Sequence, residues 1–255
     1  MSLEKLKAEN TYFKVLRRRF KQNTGAPDAE KYVFYGQHYP QLDEFLFKRY
    51  FPDVSIRGVF IECGANDGYA GSNCKFFEDT LQWTGYNLEP TPETFALLEK
   101  KRPNSHNFNL ALSSTCGELD FALTEPVDNN PAYHGAINRV SGIKFSAAED
   151  EAYRVREIIK VPTLTYKRFI EDNRITFVDL FVLDTEGHEA EVIEGMAGSA
   201  VLPALLCVEN GWSDEIRMKL TELGYVFDIE HFGNHCWIRK DLLGLFILRG
   251  LHKNF

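Results

Sequence analysis

The sequence predicts an α/β fold, a Rossmann-like seven-stranded sheet with helices on both faces, and three observations carry that prediction. Short apolar runs alternate with helical periodicity from residue 58 onward. The first run ends in a glycine turn, Gly64-Ala65-Asn66-Asp67-Gly68, and the next closes on an acid, Glu89, about 20 residues further on. The chain then finishes the pattern with Tyr225-Val226-Phe227-Asp228-Ile229, a turn at Phe232-Gly233-Asn234, and Cys236-Trp237-Ile238, which reads as a terminal antiparallel hairpin.

Taken in order, residues 1–21 read as a basic amphipathic helix with Leu3, Leu6, Tyr12, Phe13, Leu16 and Phe20 on its apolar face. A second helix runs from Leu42 to Tyr50 and is ended by Pro52, so residues 1–57 form an N-terminal helical cap. The Rossmann-like domain covers 58–255: strand 58–63, helix 72–81, strand 84–89, helix 92–101, strand 105–113, strand 178–184, helix 189–196, strand 204–210 and helix 213–223. Residues 124–160 interrupt the alternation. Their loop Tyr133-His134-Gly135 and charged helical run Ala147 to Arg156 read as a lid, with Tyr133 and His134 facing an acceptor. The apolar tail Leu242 to Leu251 is expected to pack on the N-terminal helix or a second subunit, which would make a homo-oligomer.

Composition narrows the partners. A formal net charge of −8 argues against nonspecific nucleic-acid binding, which needs a basic surface. Five cysteines, an odd number without a Cys-x-x-Cys pair, point to a reducing compartment rather than zinc or disulfides. No run approaches the roughly 18 apolar residues of a spanning helix. The expected setting is cytoplasmic.

The glycine turn selects the cofactor. A dinucleotide fingerprint requires Gly-x-Gly-x-x-Gly, but Asn66 replaces the middle glycine here, and Asp67 and Glu62 set negative charge where a pyrophosphate would sit. Those acids suit a cationic ligand that still carries a ribose. S-adenosylmethionine meets both conditions: Glu62, Gly64, Asn66, Asp67 and Gly68 would surround its methionine portion, Glu89 its ribose, and Ala111 and Leu112 its adenine.

A second dense stretch is Phe181-Val182-Leu183-Asp184-Thr185-Glu186-Gly187-His188-Glu189, a strand that ends in three carboxylates and an imidazole. In a parallel sheet these groups lie at the carboxyl ends of the strands, where ligands bind. His188 or Asp184 is the expected base, with Glu186 and Glu189 orienting substrate hydroxyls and Glu209 on the acceptor side. No loop has an established metal spacing, so a divalent ion on Asp184, Glu186 and Glu209 ranks below a metal-free reading.

The chain resembles the FkbM-type methyltransferases. The matching residues are Gly58 through Gly68, Ser72-Asn73 with Phe76-Phe77-Glu78, Gly85 through Pro90, Ala111-Leu112-Ser113, and Leu183 through Glu189. The resemblance runs from about Gln37 to about Asn210 and departs at Cys74 and His188. It implies the methyltransferase form of the Rossmann-like sheet and transfer to oxygen, with a hydroxyl of a sugar or secondary metabolite, a small molecule or glycan, as acceptor. Two other classes remain open: a nicotinamide-dependent oxidoreductase and a noncatalytic binding or assembly protein.

Overall fold

The computed structural model describes residues 31–126, 153–209, 211 and 213–247. Its main sheet has seven strands: β1 Val59–Cys63, β2 Thr84–Leu88, β3 His106–Phe108, β7 Leu180–Leu183, β8 Leu205–Glu209, β9 Tyr225–His231 and β10 Asn234–Arg239. They lie in the order β3-β2-β1-β7-β8-β10-β9. The first five are parallel, and β10 runs antiparallel to both β8 and β9. The chain order reverses at β1, between β2 on one side and β7 on the other. Sheets of this kind open a crevice at such a point, at the carboxyl ends of the strands.

The central strands β7 and β8 read as apolar runs up to Leu183 and Val208 because both faces are buried, and β1 departs from this only at Glu62. Successive side chains alternate between two cores. Phe60, Leu180, Val182, Leu205, Cys207, Cys236 and Ile238 pack on one face, with α1 (Leu42–Tyr50) and α2 (Lys75–Asp79) supplying Leu42, Phe47, Tyr50, Phe76 and Phe77. Ile61, Cys63, Phe181, Leu183, Leu206, Val208 and Trp237 pack on the other, against Tyr166 and Phe169 of α4 (Tyr166–Asp172) and Ile193 of α5 (Glu189–Glu194). The remaining helices are α3 (Pro92–Lys101), α6 (Asp214–Glu222) and α7 (Leu243–Ile247). Two begin on side-chain caps, Thr165 accepting from the Arg168 N–H and Ser213 from the Ile216 N–H.

Two expectations need correction. The single strand 105–113 is two, because Asn109 turns the chain by donating its amide to the carbonyls of Glu89 and Pro90, both at 2.9 Å. The second half, β4 (Ala111–Ser113), then joins a separate three-stranded sheet in the order β4-β6-β5. That sheet contains β5 (Gly117–Pro126) and β6 (Tyr153–Thr165). The helical run predicted to end at Arg156 therefore gives way to a strand from residue 153. Pairing with β5 explains the difference: residues 153, 154 and 155 lie opposite 126, 125 and 124 in an antiparallel ladder, and further along Val161 and Thr163 face inward while Lys160 and Pro162 face out. The N-terminal helix 1–21 and the lid loop with Tyr133 and His134 lie outside the described residues. The described start of the tail packs on α1, where Phe246 is buried with its ring 6.0 Å from Tyr50.

Candidate active site

Gly64 shows why a glycine must end β1. Its N–H and that of Ala65 both donate to the Leu88 carbonyl at 3.0 Å, while Asp184 donates its N–H to the Cys63 carbonyl at 3.0 Å. The ends of β2, β1 and β7 are thus laced together. Gly64 sits at φ +86°, and a Cβ there would stand 1.8 Å from the Asp184 carbonyl oxygen. Only a residue without a side chain lets the two backbones approach this closely. Gly64→Ala is expected to lower Tm by several degrees and to abolish cofactor binding, as read by differential scanning calorimetry with and without ligand.

Above these ends lies a crevice with about 1090 Å³ of open space, part of it continuous with solvent. Glu62, Gly64, Ala65, Asn66, Ser72, Asn73, Glu89, Thr94, Asp184, Glu186 and His188 line it, and Leu88, Leu110, Ala111, Leu112 and Phe121 form its apolar part. Gln37 reaches in from a strap ahead of α1. The Asp43 carboxylate accepts from the N–H groups of Tyr35, Gly36 and Glu44, and Gly36 bridges to Gly71, which fixes that strap beside the turn.

Glu89 is buried and partly used. Its Oε1 accepts from the Thr91 N–H at 2.8 Å and the Thr94 hydroxyl at 3.2 Å, and its Oε2 from the Asn66 N–H at 3.0 Å. Burial raises its pKa, against the pull of those donors. A carboxylate has about four acceptor sites, so the carboxylate retains capacity for a hydroxyl in the crevice.

The turn is saturated with anions of its own. The N–H groups of Tyr69 and Ala70 donate to Asp67 at 2.8 and 2.9 Å. Those of Asn73 and Cys74 donate to Glu62 at 2.7 and 3.1 Å. With Asn66 bound to Glu89, five backbone donors around the turn already serve carboxylates. A pyrophosphate needs such donors.

Asp67 and Gly68 are not brought to the crevice, contrary to the sequence reading. Asp67 faces the other way, toward Lys101 Nζ at 2.5 Å. Burial works to raise its carboxyl, but the bonds from Lys101, Tyr69 and Ala70 prevail and hold it below its ordinary value. Gly68, at φ +73°, packs under Leu98 and Arg102 with no room for a Cβ.

At the other end, Asp184, Glu186 and Glu209 converge until one oxygen from each lies within 4.8 Å of the others. Burial pushes Asp184 well above the usual carboxylate range, and the charge and hydrogen bond of Glu209 add to it. Burial, followed by repulsion from Glu209 and Glu189, lifts Glu186 to about 7. Glu189 instead organises its own loop, its Oε1 accepting from the Thr185 N–H and hydroxyl and from the Gly187 N–H. Neither Glu189 nor Glu209 is among the residues lining the crevice. His188 is buried with Nε2 3.0 Å from Ser113 Oγ and Nδ1 3.4 Å from Glu191 Oε2, so both ring nitrogens face protein groups.

Sequence reasoning missed Gln37, Thr94, Leu110 and Phe121. The alternation Leu119, Phe121, Leu123 with acids at 118 and 120 was the signal that would have placed Phe121 on an inward strand face.

A family model described as the methyltransferase FkbM domain matches residues 62–227. This chain belongs to the FkbM methyltransferase family. Among solved structures, the FkbM methyltransferase of Methylobacillus flagellatus KT is similar at 10% identity and TM-score 0.44, covering 74% of this chain and 46% of that one. The present chain therefore spans less than half the length of that family member. A ribosomal protein L11 methylase from Lactobacillus delbrueckii subsp. bulgaricus is similar at 9% identity and TM-score 0.44, covering 87% and 91% of the two chains. The N-terminal domain of human METTL16, solved with S-adenosylhomocysteine, gives 10% identity and TM-score 0.39 over 88% and 77%. All three scores are below 0.5, and family membership stands on the family model. No curated protein sequence matches the chain. Among the described residues, no helix of this FkbM-family chain is long and apolar enough to cross a membrane.

Proposed function

We propose that this FkbM-family protein is an S-adenosylmethionine-dependent methyltransferase that methylates a hydroxyl of a sugar or secondary-metabolite acceptor. The observation that carries the cofactor reading is the turn itself, whose backbone donors are bound by Glu62, Asp67 and Glu89 while an acceptor carboxylate faces the crevice. That arrangement disfavours a dinucleotide and suits a ribose-bearing cation.

Glu89 and Asp184 follow β2 and β7, which flank β1, so two strand spacings separate them, about 10 Å. Glu89 would hold the ribose hydroxyls; Leu110, Ala111, Leu112 and Phe121 would enclose the adenine; Glu62, Gly64 and Asn66 would shape the methionine end. The cofactor, when bound, supplies an electrophilic methyl group on sulfur. The protein's part is to hold an acceptor hydroxyl in line with it and to take the hydroxyl proton. Asp184 is better placed for this than His188, because its carboxyl lines the crevice at the end of β7, where burial raises its pKa, and the imidazole is engaged on both sides. Glu186 would steer the acceptor, with Glu209 acting behind it through its closeness to Glu186 and Asp184.

Labelled S-adenosylmethionine offered with a panel of sugars and hydroxylated metabolites tests this reading. Label is expected in an oxygen-linked methyl group, and a panel left unlabelled by a protein that binds the cofactor would remove the acceptor class. The convergence of Asp184, Glu186 and Glu209 also has the donor chemistry of a divalent-cation site. On the metal-free reading, turnover is expected to survive exhaustive chelation. Activity lost to chelator and restored by magnesium would assign the three acids to a cation instead.

A further inference from the structure

Resting on the cofactor reading above, we infer that Arg102 is a positioning residue that holds the methionine end of the cofactor site from behind. The side chain is completely buried just past the end of α3 and does not line the crevice. Its Nη1 lies 3.2 Å from Glu62 Oε2, 3.0 Å from Ser72 Oγ and 3.4 Å from the Gly68 carbonyl, and its Nε binds Glu78 of α2. One guanidinium thus ties the crevice-lining Glu62 of β1, the last residue of the turn, the segment after it and the following helix.

The need for an arginine follows from Glu62. That carboxylate is buried and accepts from the Asn73 and Cys74 N–H groups and from Ser72 Oγ, which sets the path of the crevice wall at Ser72 and Asn73. Burial alone favours its protonated form, which would surrender part of that acceptor capacity; Arg102 opposes the shift. The planar fork serves Glu62 and Glu78 from different nitrogens, a geometry that the single ammonium of lysine does not reproduce. Packing confirms the fit, since Gly68 has no Cβ and the Arg102 Cγ occupies the space one would need.

The hydrogen bonds of the Arg102 side chain go to Glu62, Gly68, Ser72 and Glu78, and none goes to the ribose end. Glu89, Thr91 and Thr94 at the ribose end bond among themselves and with Asn66. The two ends of the ligand should therefore respond differently to its replacement. S-adenosylhomocysteine reaches both ends, whereas adenosine occupies only the ribose and adenine part.

The test is titration calorimetry of Arg102→Lys with S-adenosylhomocysteine and, by displacement, with adenosine. The dissociation constant for S-adenosylhomocysteine is expected to rise about tenfold or more, as for loss of a hydrogen bond to a charged group, with adenosine within about twofold of wild type. Arg102→Met is expected to lose more than Arg102→Lys. Equal losses for the two ligands, or unchanged S-adenosylhomocysteine affinity, would overturn the inference. Should Arg102→Lys not fold, Ser72→Ala removes the hydroxyl that Arg102 and Glu62 share and is read the same way: a selective loss supports the inference, and no selective loss rejects it. Wild-type protein that binds neither ligand would instead reject the cofactor reading, and this inference with it.

Discussion

Replacing Glu89 with alanine is expected to weaken S-adenosylhomocysteine binding about 100-fold while leaving a folded protein. Two hydrogen bonds from ribose hydroxyls to a carboxylate, at about 1.5 kcal/mol or more each, account for that factor. The substitution also strands two donors, the N–H groups of Asn66 and Thr91, and leaves the Thr94 hydroxyl only the Thr91 carbonyl, so a fall in Tm should accompany it. Glu89→Gln separates the two effects. Glutamine keeps the shape but replaces one acceptor oxygen with a donor nitrogen, which would face either the Asn66 N–H or the Thr91 N–H. The native carboxylate serves donors on both oxygens, so the amide is expected to lose binding nearly as severely. Calorimetry that shows native affinity for Glu89→Gln would remove Glu89 from the ribose.

The second large effect is expected at Asp184. Asp184→Asn should reduce turnover about 100-fold or more, within the usual range for a general base, with little change in S-adenosylhomocysteine affinity. His188→Ala should cost less, because its ring is braced between Ser113 and Glu191. The pH dependence follows from the same cluster. A carboxyl must be ionised to accept a proton or to steer a hydroxyl, so turnover should rise as pH increases through about 7, where Glu186 titrates, and the raised Asp184 carboxyl likewise sets its own part of the rise above the ordinary carboxylate range. Glu186 owes its raised value to burial and then to repulsion from Glu209 and Glu189, so its midpoint should move to lower pH in Glu209→Gln. Stability has the opposite sign. A carboxyl whose folded pKa exceeds its unfolded value binds protons more tightly when folded, so Glu186 favours folding at low pH. That contribution is lost as pH rises from 4.5, its ordinary value, to about 7. Rate profiles with an identified acceptor and thermal melts across that window check both signs. A flat rate profile with full activity in Asp184→Asn would take the base elsewhere.

The sheet was legible because its residues obey local rules. Val59 to Cys63 is apolar but for Glu62 and Leu180 to Leu183 is apolar throughout, as suits strands buried on both faces, and the turn at Gly64 announces itself by composition. The terminal hairpin also follows from its spacing, with Phe232 and Gly233 between paired His231 and Asn234. The second sheet was harder to see. Asn109 breaks what looks like one strand by a side-chain contact to residues 19 and 20 positions away, and no local pattern encodes that partner. The site divides in the same way. Glu62, Glu89 and Asp184 stand out in the sequence because acids at strand ends are conspicuous, and Asn66 because it replaces a glycine in the turn. Asp67 was misread, since sequence marks a carboxylate but not its direction, and here Lys101 and two N–H groups draw it away from the crevice. Arg102 escaped because it lies at the end of a helix, where a basic residue is ordinary. Its burial becomes visible only when Glu62 and Glu78 converge on it.

The central claim is that the crevice at the reversal point takes a ribose-bearing sulfonium cofactor and rejects a dinucleotide. Titration calorimetry of the purified chain with S-adenosylmethionine and with NAD, with a thermal melt of each mixture, tests it most directly. Saturable binding of S-adenosylmethionine with a raised Tm, and no response to NAD, is the expected result. Binding of NAD in its place, or no heat and no shift with S-adenosylmethionine, would contradict it.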